Sequence, residues 1–246
     1  MENALLIGLS RQTALARNLD IIANNMANMR TSGYKSEQLM FDDYLMPVAS
    51  HQDMEGADRR LLYVIDNGLA RDFGQGSLEP TGNPLDVAIE GEGWFVVDTP
   101  NGERYTRNGE LKINTAGELV DNSGNRVLSE GGPITFSSTE TDITFSRDGT
   151  ISTSEGEKGR LRVVTFEQVG HLAKEGENLY SSPDPALPAQ GYTIAQGTVE
   201  GSNVSGVLET ARMIDVTRAY ATTVQMIERM QELRQGAIEQ LAAVPV

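Results

Sequence analysis

The chain has no cysteine, two histidines (His51 and His171) and one tryptophan, Trp94. Without cysteine there is no disulfide framework, no thiol nucleophile and no zinc ribbon. Basic charge is scarce as well. Lys and Arg number 20 against 35 Asp and Glu, a formal net charge of -15 over 246 residues. Phosphate backbones are held by clustered cations, so no nucleic-acid partner is expected. No stretch approaches the roughly 20 apolar residues that span a bilayer, and no membrane insertion is expected. The opening residues carry Glu2 and no basic run, so they do not read as a cleavable secretory signal. Hydrophobic residues make up 39%, low for a globular protein but above the composition of a disordered chain.

Proline and glycine are sparse at both ends and dense between. Of 25 glycines, 21 lie between Gly68 and Gly206, and of nine prolines seven lie between Pro80 and Pro188. The layout this predicts is helix, turn-rich middle, helix. In the first segment Leu15, Leu19, Ile22, Met26 and Met29 step by four and three, and Leu5 extends the row. That spacing predicts an amphipathic helix over 3–29, about 40 Å long. It should stop near Thr31-Ser32-Gly33, with Gly33 as a left-handed cap. In the last segment Met213, Val216, Tyr220, Ile227, Met230, Ala237 and Leu241 lie on one such row, interrupted by Thr223 and Arg234. A helix over 204–241 would run about 57 Å, with Ser202, Asn203 and Ser205 as candidate N-caps. The chain offers these two helices no other long helical partner, so they are expected to pack on each other. Leu208, Ile214, Val224 and Ile238 fall on neighbouring faces and leave apolar surface for other chains.

The middle reads as short strands: Leu85 to Ile89, Trp94 to Val97, Ile134 to Phe136, Ile143 to Phe145 and Leu161 to Phe166. Asn101-Gly102, Asn108-Gly109, Gly131-Gly132 and Asp148-Gly149 supply hairpin signals. Residues 105–111 and 145–151 echo each other in type, which predicts two hairpins of similar construction. Residues 36–75 read as an extended connector with a mobile tip at 51–60. Residues 181–190, with Pro183, Pro185 and Pro188, read as a second connector.

Candidate sites are weak. The two histidines are too far apart in sequence for a spaced ligand motif and read as surface residues. Gly91-Glu92-Gly93 leads into a strand with no following lysine, so it reads as a tight turn and not as a phosphate cradle. Asp121 to Asn125 lacks the later glycine and glutamate of a calcium loop and reads as a turn. No nucleophile elbow is present. The apolar stripes on two long terminal helices point to an interaction rod and not to an enzyme.

Four motifs then carry a family resemblance. Ala23-Asn24-Asn25-Met26-Ala27-Asn28 with Thr31, Gly33, Tyr34 and Lys35 resembles the N-terminal signature of bacterial flagellar rod and hook axial proteins. Gly76-Ser77-Leu78 with residues 81–89 and Gly91-Glu92-Gly93-Trp94-Phe95 resembles their central motif. Tyr105-Thr106-Arg107-Asn108-Gly109 continues it, and Glu200-Gly201-Ser202-Asn203-Val204 with Arg218-Ala219-Tyr220 resembles the C-terminal helix region. The opening Glu2-Asn3-Ala4 with Gly8-Leu9-Ser10 is most similar to the proximal-rod branch.

The resemblance implies a mainly β central domain with long α-helices at both termini that pair as a coiled coil. It implies an axial helix and cap at 1–35, the connector at 36–75, an outer β-rich domain at 76–196 and a second axial helix at 197–246. It further implies a structural subunit of the proximal rod, exported through the flagellar type III apparatus and assembling with copies of itself and other rod proteins. No catalytic, cofactor or metal site is implied. A distal rod or hook subunit is the alternative within the family, and an acidic β-rich extracellular binding module the alternative outside it. The expected assembly interface is Leu5, Leu15, Leu19, Ile22, Asn24, Asn25, Met26, Asn28, Met213, Val216, Tyr220, Ile227 and Met230. Asn24, Asn25 and Asn28 are the polar members: the plain reading is solvent exposure or local capping near Gly33, and the favoured one is interhelical hydrogen bonding that fixes register.

Overall fold

A computed structural model describes residues 2–47 and 60–242. The chain divides into two compact units. The first comprises Met1–Ala27, Glu37–Ala70 and Ser205–Val246, and the second Asn28–Ser36 and Arg71–Val204. The expected tip at 51–60, with His51, lies almost wholly outside the described residues.

The first unit holds helix α1 (Glu2–Ala27), helix α2 (Gly206–Ala242) and a two-stranded ribbon, β1 (Glu37–Pro47) with β2 (Arg60–Arg71). α1 ends before the expected cap. Gly33 does take a left-handed φ of 70°, but its N–H goes to the Glu200 carbonyl at 2.7 Å and not back to the helix. Ser205 directly precedes α2, and its carbonyl accepts the N–H of Glu209 at 2.9 Å. The ribbon occupies most of the stretch expected to be a connector. Its backbone is extended, as expected, but the two strands are hydrogen-bonded to each other.

The second unit is β-rich. Its largest sheet is built around strand β5 (Trp94–Thr99), which pairs antiparallel with β6 (Gly102–Thr106), Arg126–Ser129 and Val163–Thr165; shorter sheets include β3 (Leu78–Pro80) with Thr198–Glu200, β4 (Val87–Glu90) with Thr193–Gln196, and a three-stranded sheet from Thr144 to Arg160. An uninterrupted apolar run is what a strand buried on both faces requires. Phe95 and Val97 point into a core with Val87, Ile89, Leu119 and Ile151. Trp94 and Val96 point the other way, into a second core with Tyr105, Phe166 and Tyr180. Edge-to-face rings fasten the second core, with Trp94 to Tyr180 at 5.1 Å and Tyr105 to Phe166 at 4.7 Å between centroids.

The sequence echo does not make two like hairpins. Phe145 pairs with Ile151 across a turn at Asp148-Gly149. Tyr105 instead pairs with Val96 on β5, and the chain runs on through Asn108-Gly109. Gly109 is there for close approach. A Cβ on it would stand 1.6 Å from the Val87 carbonyl oxygen, whose own N–H donates to the Gly109 carbonyl at 2.9 Å. The expected second connector contains the short strand Leu187–Pro188, paired with Val163–Thr165.

Candidate functional site

In the first unit α1 and α2 lie side by side and antiparallel. Near the start of α1, a Cβ built on Gly8 would be 3.0 Å from the Ile227 side chain. Further along, Gln12 Nε2 donates to the Tyr220 hydroxyl at 3.1 Å. Near its end, Asn25 Nδ2 faces Glu209 Oε2 at 3.4 Å. As the number rises on one helix it falls on the other.

Of the sequence-predicted row, Asn25, Tyr220 and Ile227 make these contacts between the helices. Ile22 and Asn25 are buried, and Leu5, Leu15, Leu19, Met26, Met213, Val216, Tyr220, Ile227 and Met230 are half-buried. The three asparagines diverge. Asn25 is 1% exposed and joins three pieces of chain: Nδ2 donates to the Glu37 carbonyl at 2.8 Å, Oδ1 accepts the Glu37 N–H at 3.0 Å, and Glu209 lies across from it. Asn24 is exposed. Asn28 belongs to the second unit, where its side chain accepts from the Thr31 hydroxyl at 3.2 Å.

A second apolar row on α2 faces away from α1. Val207, Leu208, Ile214, Met226 and Leu233 are exposed, Val207 by 85% and Leu233 by 70%. At 100° per residue they fall within an arc of about 120°. Glu209, Val216, Tyr220 and Ile227 sit on the opposite side. α1 adds Leu6 and Leu9, also exposed. Single exposed apolar residues are ordinary, but a row of them marks an interaction surface.

In the second unit three separate passages of chain meet in a collar. They are 28–36, 71–77 and 198–204. At its centre Glu200, fully buried, accepts Lys35 Nζ at 2.5 Å on Oε1 and Arg107 Nη1 at 3.1 Å on Oε2. Oε1 also accepts the Gly76 N–H at 3.0 Å. Lys35 donates further to the Gly74 carbonyl at 2.7 Å, and Arg107 to the Gly91 carbonyl at 2.9 Å. The Arg107 guanidinium lies 5.5 Å from the Trp94 ring, a cation–π placement. Burial lowers the affinity of both cations for their protons, and the Glu200 charge opposes that shift.

Asn203 closes the ring of contacts. Its Oδ1 accepts the Ser36 N–H at 2.8 Å, and its Nδ2 donates to the Asp72 carbonyl at 2.8 Å. Gly33 fits where no side chain would: a Cβ on it would be 2.5 Å from the Asn108 nitrogen. The collar is therefore made of the residues quoted above as motifs: Gly33, Lys35, Gly76, Arg107, Glu200 and Asn203. None was predicted as a site residue. Lone charges and glycines in turn-like sequence read as surface, and nothing in their spacing signals that they meet. Asn203, expected as a possible helix cap, spends its side chain here. Elsewhere the expected turn at Asp121 is present, with Oδ1 accepting the N–H groups of Ser123 and Asn125, and His171 Nδ1 is 2.8 Å from Asp184.

Comparisons with known proteins agree across the chain. Residues 5–35 match the family described as flagella basal body rod protein. Residues 88–153 match the flagellar hook protein FlgE/F/G D1 domain, and residues 195–240 the flagellar basal body rod FlgEFG protein C-terminal region. The flagellar basal-body rod protein FlgF of Caulobacter vibrioides is 39% identical over 99% of this chain and 100% of its own length. FlgF of Mesorhizobium japonicum is 33% identical over 99% of each chain. FlgG of Buchnera aphidicola subsp. Acyrthosiphon pisum is 33% identical over 88% of this chain and 94% of its own. With family matches at both helices and in the β region, and full-length relatives above 30% identity, the chain belongs to the flagellar basal-body rod protein family, in which it resembles FlgF.

Proposed function

We propose that the protein is a structural, non-enzymatic subunit of the flagellar basal-body rod, placed in its proximal part, which it builds through its terminal helices and through which motor torque passes. The observation that carries the reading is the two-sided apolar character of α2. One row faces α1 within the chain, and the other, from Val207 to Leu233, is exposed, with no partner helix among the described residues to cover it. The facing rows pair in the manner of an antiparallel coiled coil, and the seam residues with Asn25 fix its register. The outward rows then take copies of the same chain and other rod components. Repeated contacts whose rotation does not close produce a tube or filament.

Full-length likeness to proteins named FlgF supports the proximal position, and likeness to FlgG keeps the distal rod as the second reading. The family is structural, and on this reading no cofactor or nucleic-acid partner is expected. No described helix is long and apolar enough to cross a membrane. Delivery on this reading is through the flagellar export apparatus. The test is a chain carrying Val207→Asp and Leu233→Asp. Both positions are so exposed that the isolated protein should keep its fold and helix content. Electron microscopy of isolated basal bodies should then find the rod missing. A complete rod containing the double variant would overturn the proposal.

A further inference from the structure

We propose that Lys35, Arg107 and Glu200 form a charge clasp that gates closure of the second unit, because the collar can shut only when the late-arriving Glu200 carboxylate stands between two cations from earlier in the chain. The proposal does not depend on the rod reading. Lys35 precedes Glu200 by 165 residues and Arg107 precedes it by 93. The side chains of Lys35 and Glu200 are 0% exposed and that of Arg107 is 6% exposed. Among the described residues, the ion pairs that Lys35 and Arg107 make are both with Glu200. Asp72 and Glu92 act on them only through the field at longer range.

Glu200 is also a hub of the backbone. Its carboxylate takes Lys35, Arg107 and the Gly76 N–H, and its carbonyl takes the Gly33 N–H. Four groups from three stretches of chain converge on this one residue. Before it docks, closing the collar would bury two like charges with no counter-ion. A buried charge without its partner weakens a site by a factor of about a hundred or more. The early strands therefore cannot settle against residues 28–36 until residue 200 is in place. The chain stays open until nearly all of it is available, and then closes in one step.

The test uses the full chain throughout. In refolding with pulsed hydrogen exchange, the Gly33 and Gly76 amides should gain protection in the same kinetic phase as β5 and β6. Full protection of β5 and β6 in an earlier phase would overturn the proposal. At equilibrium, Glu200→Gln keeps the shape of the side chain and removes its charge. It should speed exchange across β5 and β6 by about a hundredfold or more. The triple variant Lys35→Met, Arg107→Met, Glu200→Met removes all three charges at similar volume and should return exchange to within about tenfold of the parent. Parent-like exchange in Glu200→Gln would refute the clasp. Fast exchange in both variants would refute it too, by assigning the collar to hydrogen-bond geometry and not to charge.

Discussion

Asn25→Ala offers the sharpest test of the helix unit. Asn25 is almost wholly buried and makes two hydrogen bonds with the Glu37 backbone, at 2.8 and 3.0 Å. A third contact reaches the buried Glu209 at 3.4 Å, long enough to count for less than a full bond. Each backbone bond contributes about 1 kcal/mol net, and deserted buried partners add a desolvation cost, so the loss should be about 2–4 kcal/mol. Asp20→Ala, on the same helix and exposed, should fall within about 0.5 kcal/mol of the parent. A chain of two units has no single unfolding free energy, so the effect is best read locally. Native-state hydrogen exchange at α1 and α2 should speed by roughly 30- to 900-fold in Asn25→Ala. Exchange at β5, in the other unit, should not change. The reasoning fails if the two alanine variants behave alike, or if β5 loosens together with the helices.

Three further outcomes follow from particular distances. Gly109→Ala drives a methyl into the Val87 carbonyl and should cost about 3 kcal/mol or more; Gly170→Ala, with nothing within 4 Å of the added atom, should be nearly neutral, and denaturation followed by Trp94 emission will compare them. Burial holds the Lys35 ammonium below its usual pKa of 10.5, against the opposing pull of Glu200. The unfolded chain then binds more protons in the window between the folded value and 10.5, so stability should rise with pH across that window. Tyr105, whose phenol is raised by burial, works in the opposite sense. Urea denaturation of the parent and Lys35→Met should isolate the lysine contribution, with the difference moving in the parent's favour towards pH 10.5. Tyr220→Phe removes the acceptor of Gln12 at a half-buried site and should cost about 1 kcal/mol, measurable as faster exchange in the helices and not in β5.

Much of the architecture was legible because its signals are local. The row Leu15, Leu19, Ile22 needs only neighbours three and four residues away, and the structure places it on one side of α1. The run Trp94 to Val97 announces a strand buried on both faces because no polar residue interrupts it. The ribbon was harder to read. β1 carries Asp42 and Asp43 in sequence and shows no clean alternation, so its pairing rests on backbone hydrogen bonds that side-chain patterning does not encode. The collar was not legible at all as a site. Lys35, Arg107 and Glu200 are each ordinary charges in their own neighbourhoods, and their meaning lies in separations of 93 and 165 residues. The motifs could be recognised by resemblance, while their physical reason, one glutamate whose carboxylate serves two cations and an amide and whose carbonyl takes a second amide, appears only in three dimensions. Asn25 lies between these cases: its polarity within an apolar helix marked it out, but its bond to Glu37 could not be foreseen.

The chain passes between its two units at residues 27/28, 36/37, 70/71 and 204/205, so the β-rich unit is a composite of a long stretch and a nine-residue splint, Asn28–Ser36. That limits how such proteins can be recombined. A cassette swapped at 71 and 204 would bring its own Arg107 and Glu200 but dock them against the host's Lys35, Gly33 and Ser36. Chimaeras between relatives should therefore assemble well only when the splint travels with the cassette, and the short peptide after the first helix should co-inherit with a domain that begins thirty-five residues later.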